Sequence, residues 1–405
     1  MNQRYYSLDV FRGATVSFMI LVNSPGSWSH IYAPLGHAPW HGITPTDLVF
    51  PFFLFAVGNA MAFVMPRLQA AGPAAFWRKV IKRTLLIFLI GLFLNWFPFV
   101  QWQANELVPR TWTWQRGNGE MAGVRILGVL QRIALCYFFA SVIIYYAKQR
   151  GAFLIGLLLL LVYWALCILG NPADPYGLEG WFGTAIDKQI LGEAHMYHGE
   201  GVAFDPEGLV STLPAIVEVI FGFLVGDYVL KRGKTVAAVP EHTTTTNPLY
   251  QTLTILFVAA VALLFTGYAW DFSFPINKKI WTSSYVVYTV GLATTVLAML
   301  VYFVELKNAR GRWSRFFDVF GKNPLFIYAL SGLIPKTLAL IRIPNGIKAN
   351  GETAYISPWG WSYENIFARI PGPAEMGSLL FAISFVLLLW LIGYWMDKKK
   401  IYVRV

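Results

Sequence analysis

The stretch Ile126-Leu-Gly-Val-Leu-Gln-Arg132-Ile-Ala-Leu-Cys136-Tyr-Phe-Phe-Ala-Ser-Val-Ile-Ile-Tyr-Tyr-Ala147 is followed, after Lys148-Gln-Arg150, by Phe153-Leu-Ile-Gly-Leu-Leu-Leu-Leu-Leu-Val-Tyr-Trp-Ala-Leu-Cys167-Ile-Leu-Gly170. Each run approaches the ~20 apolar residues that carry a helix across a bilayer. Lipid offers the backbone no partner, so both runs must be helical, and the short basic piece between them reads as a turn. Eight further runs are of the same kind: Val10–Trp28, Thr46–Met65, Thr84–Gln101, Leu213–Leu230, Leu253–Trp270, Ser283–Val304, Pro324–Ile341 and Met376–Met396. The composition agrees. Of 405 residues 56% are hydrophobic and 13% charged, against roughly half and a quarter in soluble proteins, and the mean hydropathy is +0.52. These values exclude a soluble enzyme, a disordered chain and a nucleic-acid binder. They predict an all-α polytopic membrane protein of about ten transmembrane helices. Residues 1–405 read as one domain, with a flexible linker at 231–250 around Thr243–Thr246 dividing two helix groups.

Charge sets the orientation. If ten runs cross, the segments ending at Arg12, Pro66–Arg83, Lys148–Arg150, Lys231–Tyr250, Glu305–Lys322 and Asp397–Val405 share one side. They hold 21 of the 32 Lys and Arg but only five of the 21 acids. Positive residues are retained inside, so both termini are expected in the cytoplasm. Three long segments then lie on the outer side: Trp102–Val124, Asn171–Thr212 and Arg342–Glu375. No secretory signal peptide is read at the N-terminus, because Arg4, Asp9 and Arg12 precede the first apolar run. Cys136 and Cys167 lie inside apolar runs and read as packing residues.

Polar groups at membrane depth are costly and mark sites by default. The first cluster is Asn23, His30, His37, His41 and Asp47, from the outer end of the first run to the start of the second. His37 is a candidate proton carrier. Asp47 would orient it, and Asn23 would donate to a developing oxyanion. The plainer readings are that Asp47, behind Thr44 and Thr46, caps a helix, and that Asn23 satisfies backbone freed by Pro25. Pro39 and Gly42 disfavour a regular helix carrying His37 and His41 as metal ligands, and no metal is expected. The second cluster is Gln131 and Arg132, with Arg125 a turn or two above. Arg132 needs a carboxylate, a phosphate or a wet cavity; an internal ion pair to Asp47 or Glu218 is the structural alternative. The third is Asp205-Pro-Glu207-Gly208 before the sixth run, suited to an amine or sugar. Trp40 and Trp281 could stack on a sugar face or belong to an interfacial aromatic belt. On the inner side Arg78, Lys79, Lys82, Lys322 and Asn323 could hold a phosphorylated cofactor or anionic lipid heads.

These runs resemble the heparan-alpha-glucosaminide N-acetyltransferase family. Ser7-Leu-Asp9-Val-Phe11-Arg12-Gly13 is similar to its Asp-x-Phe-Arg-Gly block. His37-Ala-Pro-Trp40-His41-Gly-Ile-Thr-Pro-Thr-Asp47 is similar to its His-Ala-Ser-Trp-Asn-Gly-Leu-Thr run, and Arg125-Ile-Leu-Gly-Val-Leu-Gln131-Arg132 to its Arg-Ile-Pro-Gly-Val-Leu-Gln-Arg block. Phe204-Asp205-Pro-Glu207-Gly and Pro275-Ile-Asn-Lys-Lys-Ile-Trp281-Thr-Ser-Ser-Tyr285 match two more. The resemblance implies a membrane enzyme that takes acetyl from cytoplasmic acetyl-CoA, its cosubstrate, to the amine of a glucosamine unit on the far side. It puts His37 on the family's catalytic histidine and Asn23 on its partner. His41 departs from the usual Asn, which touches acceptor recognition, and a free or short amino sugar is expected rather than heparan. Expected partners are that sugar, coenzyme A, membrane lipids and a second copy of the chain; nucleic acid is not. Direct transfer and an acetyl-His intermediate both remain open. An amino sugar or N-acetylglucosamine transporter is the alternative class, and O-acylation of an envelope glycan or lipid a third reading.

Overall fold

The computed structural model describes residues 5–103, 106–115, 119–238, 248–347 and 351–403. Much of the expected linker at 231–250, including Thr243–Thr246, lies outside the described residues. The chain order is α1 (Tyr6–Asn23), α2 (Val49–Ala71), α3 (Pro73–Trp96), β1 (Val100–Gln103), β2 (Glu106–Pro109), β3 (Thr113–Gln115), β4 (Met121–Gly123), α4 (Val129–Gly170), α5 (Gly183–Leu191), α6 (Thr212–Ala238), α7 (Pro248–Asp271), α8 (Ser283–Leu300), α9 (Arg312–Lys322), α10 (Pro324–Leu338), β5 (Ile343–Ile347), β6 (Thr353–Ile356), α11 (Pro358–Ser362) and α12 (Ala374–Lys398).

Each expected run lies wholly or largely in a helix. Among the described residues six helical spans are long and apolar enough to cross a membrane: Pro45–Ala71, Val129–Gly170, Thr212–Arg232, Leu249–Asp271, Ser283–Leu306 and Ala374–Lys398. α10 is apolar but shorter. The third run stops early, because helix α3 ends at Trp96, before Phe97-Pro98. Pro98 has no N–H to continue the helical ladder.

Val129–Gly170 is not one rod. Lys148 sits at φ 57, ψ −164, which breaks the helix and reverses the chain. Neighbours on α6 and just before it prove the reversal. Arg132 Nη2 donates to Gly208 O (3.0 Å), and Gln149 Nε2 to Asp227 Oδ2 (2.5 Å), so the first arm runs along α6 in its direction. On the return arm Gly156 packs against Val217 and Ile220, and the Tyr163 hydroxyl donates to Ile280 O. The two runs at 126–147 and 153–170 are therefore a hairpin.

Helices α2 and α6 cross with their backbones in close contact. A Cβ on Gly58 would lie 2.1 Å from Val219 O, and one on Gly222 would lie 2.2 Å from Phe55 O. Small residues let backbones touch where lipid gives no hydrophobic drive for association. Gly13 of the Asp9-Val-Phe11-Arg12-Gly13 block serves α1 and α9 in the same way, since its Cβ would lie 1.7 Å from Phe317 O. Arg12 donates from Nε to Gly321 O (2.8 Å) and pairs with Asp9 (2.9 Å). Ser7 N donates to Glu305 Oε1 (2.9 Å), and Lys322 pairs with Asp318 (2.8 Å) and Asp397 (3.0 Å). The start of α1, segment 305–322 and the end of α12 thus gather at one end of the bundle.

The opposite end is not all-α. Segment Trp102–Val124 takes part in two antiparallel hairpins, β1–β2 and β3–β4, and β5–β6 forms a third. Strands of three to five residues are too short to leave a legible alternation in sequence. Gly222→Val is expected to cost about 2 kcal/mol or more by forcing α2 and α6 apart, read as a fall of several degrees in the thermal unfolding of the detergent-purified protein.

Candidate functional site

The site grows from the loop between α1 and α2. Pro45–Leu48 forms a 3-10 turn that starts the apolar span Pro45–Ala71. Asp47 is its buried acid, 1% exposed, and both of its oxygens are committed. Oδ2 accepts from Ala38 N (3.1 Å), Thr44 N (3.0 Å) and Thr44 Oγ1 (3.0 Å). Oδ1 lies 2.7 Å from His37 Nδ1. Asp47 is therefore a helix cap and a histidine partner at once, one oxygen for each role. A carboxylate can only accept, so the Asp47 contact calls for a proton on Nδ1, and in a neutral ring that leaves the lone pair on Nε2. The Tyr285 hydroxyl donates to Asp47 O (2.5 Å) and ties the turn to α8.

The His37 side chain is 43% exposed and borders a cavity of about 180 Å³. Asn23, at the last turn of α1, lines the same cavity, as do Glu207, Lys278 and Tyr328. Phe50, Phe53, Leu130 and Ile133 form apolar walls. His37, Asn23 and Glu207 therefore face one space, although up to 184 positions separate them in sequence.

Glu207 is placed by Arg125. Arg125 grips Asp205 through Nη2–Oδ1 (2.5 Å) and Nε–Oδ2 (3.1 Å), and its Nη2 also contacts Glu207 Oε2. Burial disfavours the Glu207 carboxylate, but Arg125 and Arg132 outweigh it and hold it below the usual carboxylate range. Asp205 is fully buried and spent on Arg125 and on Glu207 N (3.0 Å). As an expected sugar contact it is corrected: it has no open oxygen edge and acts as the brace behind Glu207.

Lys278 was missed by sequence reasoning as a site residue. Its Nζ lies 3.0 Å from His37 Nδ1 and 3.4 Å from Asp47 Oδ1, and its side chain is one-fifth exposed (20%). Burial pushes its ammonium down from the usual lysine range, while Asp47 and Glu207 pull it back. The available signal was a pair of lysines, Lys278-Lys279, on the side assigned few positive charges.

The remaining candidates divide. Arg132 is fully buried, bonded to Gly208 O and Ser211 Oγ and set over the Trp281 ring at 5.1 Å. It forms no ion pair with Asp47 or Glu218. Its Nε and Nη1, and Gln131 Nε2, have no protein partner. Trp281 is 1% exposed, packed edge-on against Phe50 (5.0 Å) and Tyr285 (5.2 Å); its faces are closed to a sugar, which corrects the stacking expectation. Trp40 is half-buried, its indole bonded to Tyr176 O (2.8 Å) with Lys279 Nζ 5.6 Å from the ring centre. His41 is exposed and lies 3.3 Å from Asn277 Nδ2, and burial pushes its imidazole down. Arg78, Lys79 and Lys82 are exposed near the start of α3. Lys322 is occupied by Asp318 and Asp397, and Asn323 bonds Ile401 O (3.0 Å) and Val403 N (2.8 Å). Both therefore fasten the C-terminal segment and present no open phosphate site, a third correction of an expected contact. Among the described residues no three His, Cys, Asp or Glu side chains converge as a metal site.

No protein-family model matches the chain. Over 378 residues it is 28% identical to the heparan-alpha-glucosaminide N-acetyltransferase of Homo sapiens, covering 80% of this chain and 52% of that protein. The Mus musculus protein of the same name is 26% identical over 375 residues, covering 80% and 53%. Over most of its length the chain is thus similar to heparan-alpha-glucosaminide N-acetyltransferases. It spans about half the length of the curated relatives it matches. Asp205→Ala is expected to destabilise the fold by about 3 kcal/mol, because it removes one acid from a buried Arg; thermal unfolding beside Glu207→Gln, which leaves the bidentate grip intact and loses less, checks the order.

Proposed function

We propose that this protein is a transmembrane N-acetyltransferase that carries acetyl from cytoplasmic acetyl-CoA to the amine of a glucosamine-type sugar on the outer side of a bacterial inner membrane. The observation that carries the reading is the His37–Asp47 pair at 2.7 Å on the edge of a cavity that also holds Asn23. The ten-crossing topology with cytoplasmic termini is part of the proposal, and the gathering of both chain ends at one end of the bundle supports it.

Asp47 fixes Nδ1–H and leaves Nε2 as base. His37 Nε2 takes the proton of the sugar amine as its nitrogen bonds to the acetyl carbon, and delivers it to the departing sulfur as the C–S bond breaks. The Asn23 carboxamide, for which no hydrogen-bond partner is recorded among the described residues, donates to the carbonyl oxygen as it gains charge. Glu207 supplies an anionic wall for the sugar ammonium, which releases one proton to water before the neutral amine attacks. Coenzyme A contributes the acetyl thioester.

The residues fit such a cosubstrate. Unpartnered Arg132 Nε and Nη1 and Gln131 Nε2 are buried donors that suit its acceptor-rich arm. A second cavity of about 240 Å³, lined by Tyr5, Asp9, Arg12 and Asn59, lies on the same α1–α2 pair toward the opposite end. On α1, Leu8 of one cavity and Met19 of the other are about 16 Å apart at 1.5 Å per residue. Between them the Phe11 ring stacks on Phe52 (5.6 Å). Two cavities in line along one helix pair favour transfer through the bundle over a reaction confined to one face.

The test is acetyl transfer from labelled acetyl-CoA to glucosamine by protein in liposomes. His37→Ala should lower kcat at least about 100-fold, and Asn23→Ala by about 100-fold, with unfolding temperatures near wild type. Activity of His37→Ala within a few-fold of wild type, or sugar transport without acetyl-CoA, sinks the proposal.

A further inference from the structure

Lys278 is the cation closest to His37, and no step above uses it. His37 Nδ1 meets a carboxylate and an ammonium together: Asp47 Oδ1 at 2.7 Å and Lys278 Nζ at 3.0 Å, themselves 3.4 Å apart. A carboxylate alone on Nδ1 favours the imidazolium, and an imidazolium cannot accept the amine proton. A positive charge at the same position opposes that bias without removing the hydrogen bond that orients the ring.

The other charged groups around the loop are engaged. Glu207, on the segment before α6, is held by Arg125. Lys279 turns away to Glu200 (2.5 Å) and to Pro39 O (2.6 Å). Asp271, at the end of α7, accepts from Ile276 N (2.5 Å), and exposed His41 lies beside Asn277. α10 brings Leu325 and the Tyr328 phenol to the cavity, and no Lys, Arg, Asp or Glu. The cavity-lining side chains of α1, α2 and α4 carry no charge. The charge balance on His37 therefore rests on Asp47 and Lys278.

We infer that Lys278 is a positioning residue for acetyl transfer: its ammonium offsets the Asp47 carboxylate, so that His37 is aligned by the acid and still held as a neutral base. The inference deepens the acetyltransferase reading and rests on it for its meaning, but the electrostatic part can be measured without acetyl-CoA.

Diethyl pyrocarbonate modifies neutral imidazole, and peptide mass mapping locates the adduct at position 37. The modification rate is followed from pH 5 to 9 in wild type, Lys278→Met, Lys278→Gln and Lys278→Arg. In the two neutral variants the midpoint for His37 should rise by roughly one pH unit, and Lys278→Arg should return it toward wild type. In parallel the acidic limb of kcat against pH should move up by the same amount, giving roughly a tenfold loss at pH 6 that fades by pH 8.5. A midpoint unchanged in whichever neutral variant keeps the wild-type unfolding temperature overturns the inference, and so does an equal loss of kcat at every pH. A shifted midpoint in a protein that transfers no acetyl leaves the electrostatic assignment standing and removes the acetyltransferase reading.

Discussion

A carboxylate at the head of a membrane helix must be satisfied by its own chain, and Asp47 meets that demand in a way that orders the outer end of the molecule. One oxygen takes three donors from Ala38 and Thr44, which closes the loop onto the start of the span. The other holds His37. The Tyr285 hydroxyl reaches the Asp47 carbonyl from α8 and fastens the turn to the far half of the chain. In a low-dielectric setting such bonds matter more than on a wet surface, because a buried carboxylate without donors is costly. Loop closure, helix initiation and orientation of the imidazole are three results of one side chain.

The bundle beneath follows from the same scarcity of partners. Helices in lipid gain nothing from burying leucine, so contact is made where glycines admit a neighbouring backbone, as at Gly58, Gly222 and Gly13. Some polar side chains are paired, as Arg125 is with Asp205, and others line a cavity, as Asn23 does. Arg132 lies between these cases, with one nitrogen bonded to Gly208 and Ser211 and two left over.

Much of this was legible in the sequence. The helical runs declared themselves by length and apolarity, and the reversal at Lys148 by its charges between two such runs. His37, Asn23 and Asp47 stood out because polar residues at the mouth of an apolar helix need a reason. Other features were not legible, and the causes are physical. Lys278 meets His37 across 241 positions of sequence, a contact no local pattern encodes. Asp205 and Glu207 read alike as acids at an outer pocket, yet Arg125 takes both oxygens of the first and leaves the second at the cavity wall. Trp281 read as an interfacial ring, while its backbone at φ 54 and its packing on Phe50 and Tyr285 turn it inward. Lys322 and Asn323 read as a phosphate site because their partners, Asp397 and the residues just beyond it, lie in the last stretch of chain. The strand pairs escaped because they are too short for periodicity to register.

The position of Arg132 also bears on how the molecule is assembled. Its oxygen partner Ser211 is 79 residues further along the chain, so the first arm of the α4 hairpin is synthesised well before anything exists to receive its guanidinium. Until the Gly208–Ser211 segment arrives, that arm has to linger at the headgroup layer or shelter its cation within the insertion machinery. Biogenesis therefore has a built-in order, in which α4 can settle to its final depth only after the start of α6 has been made.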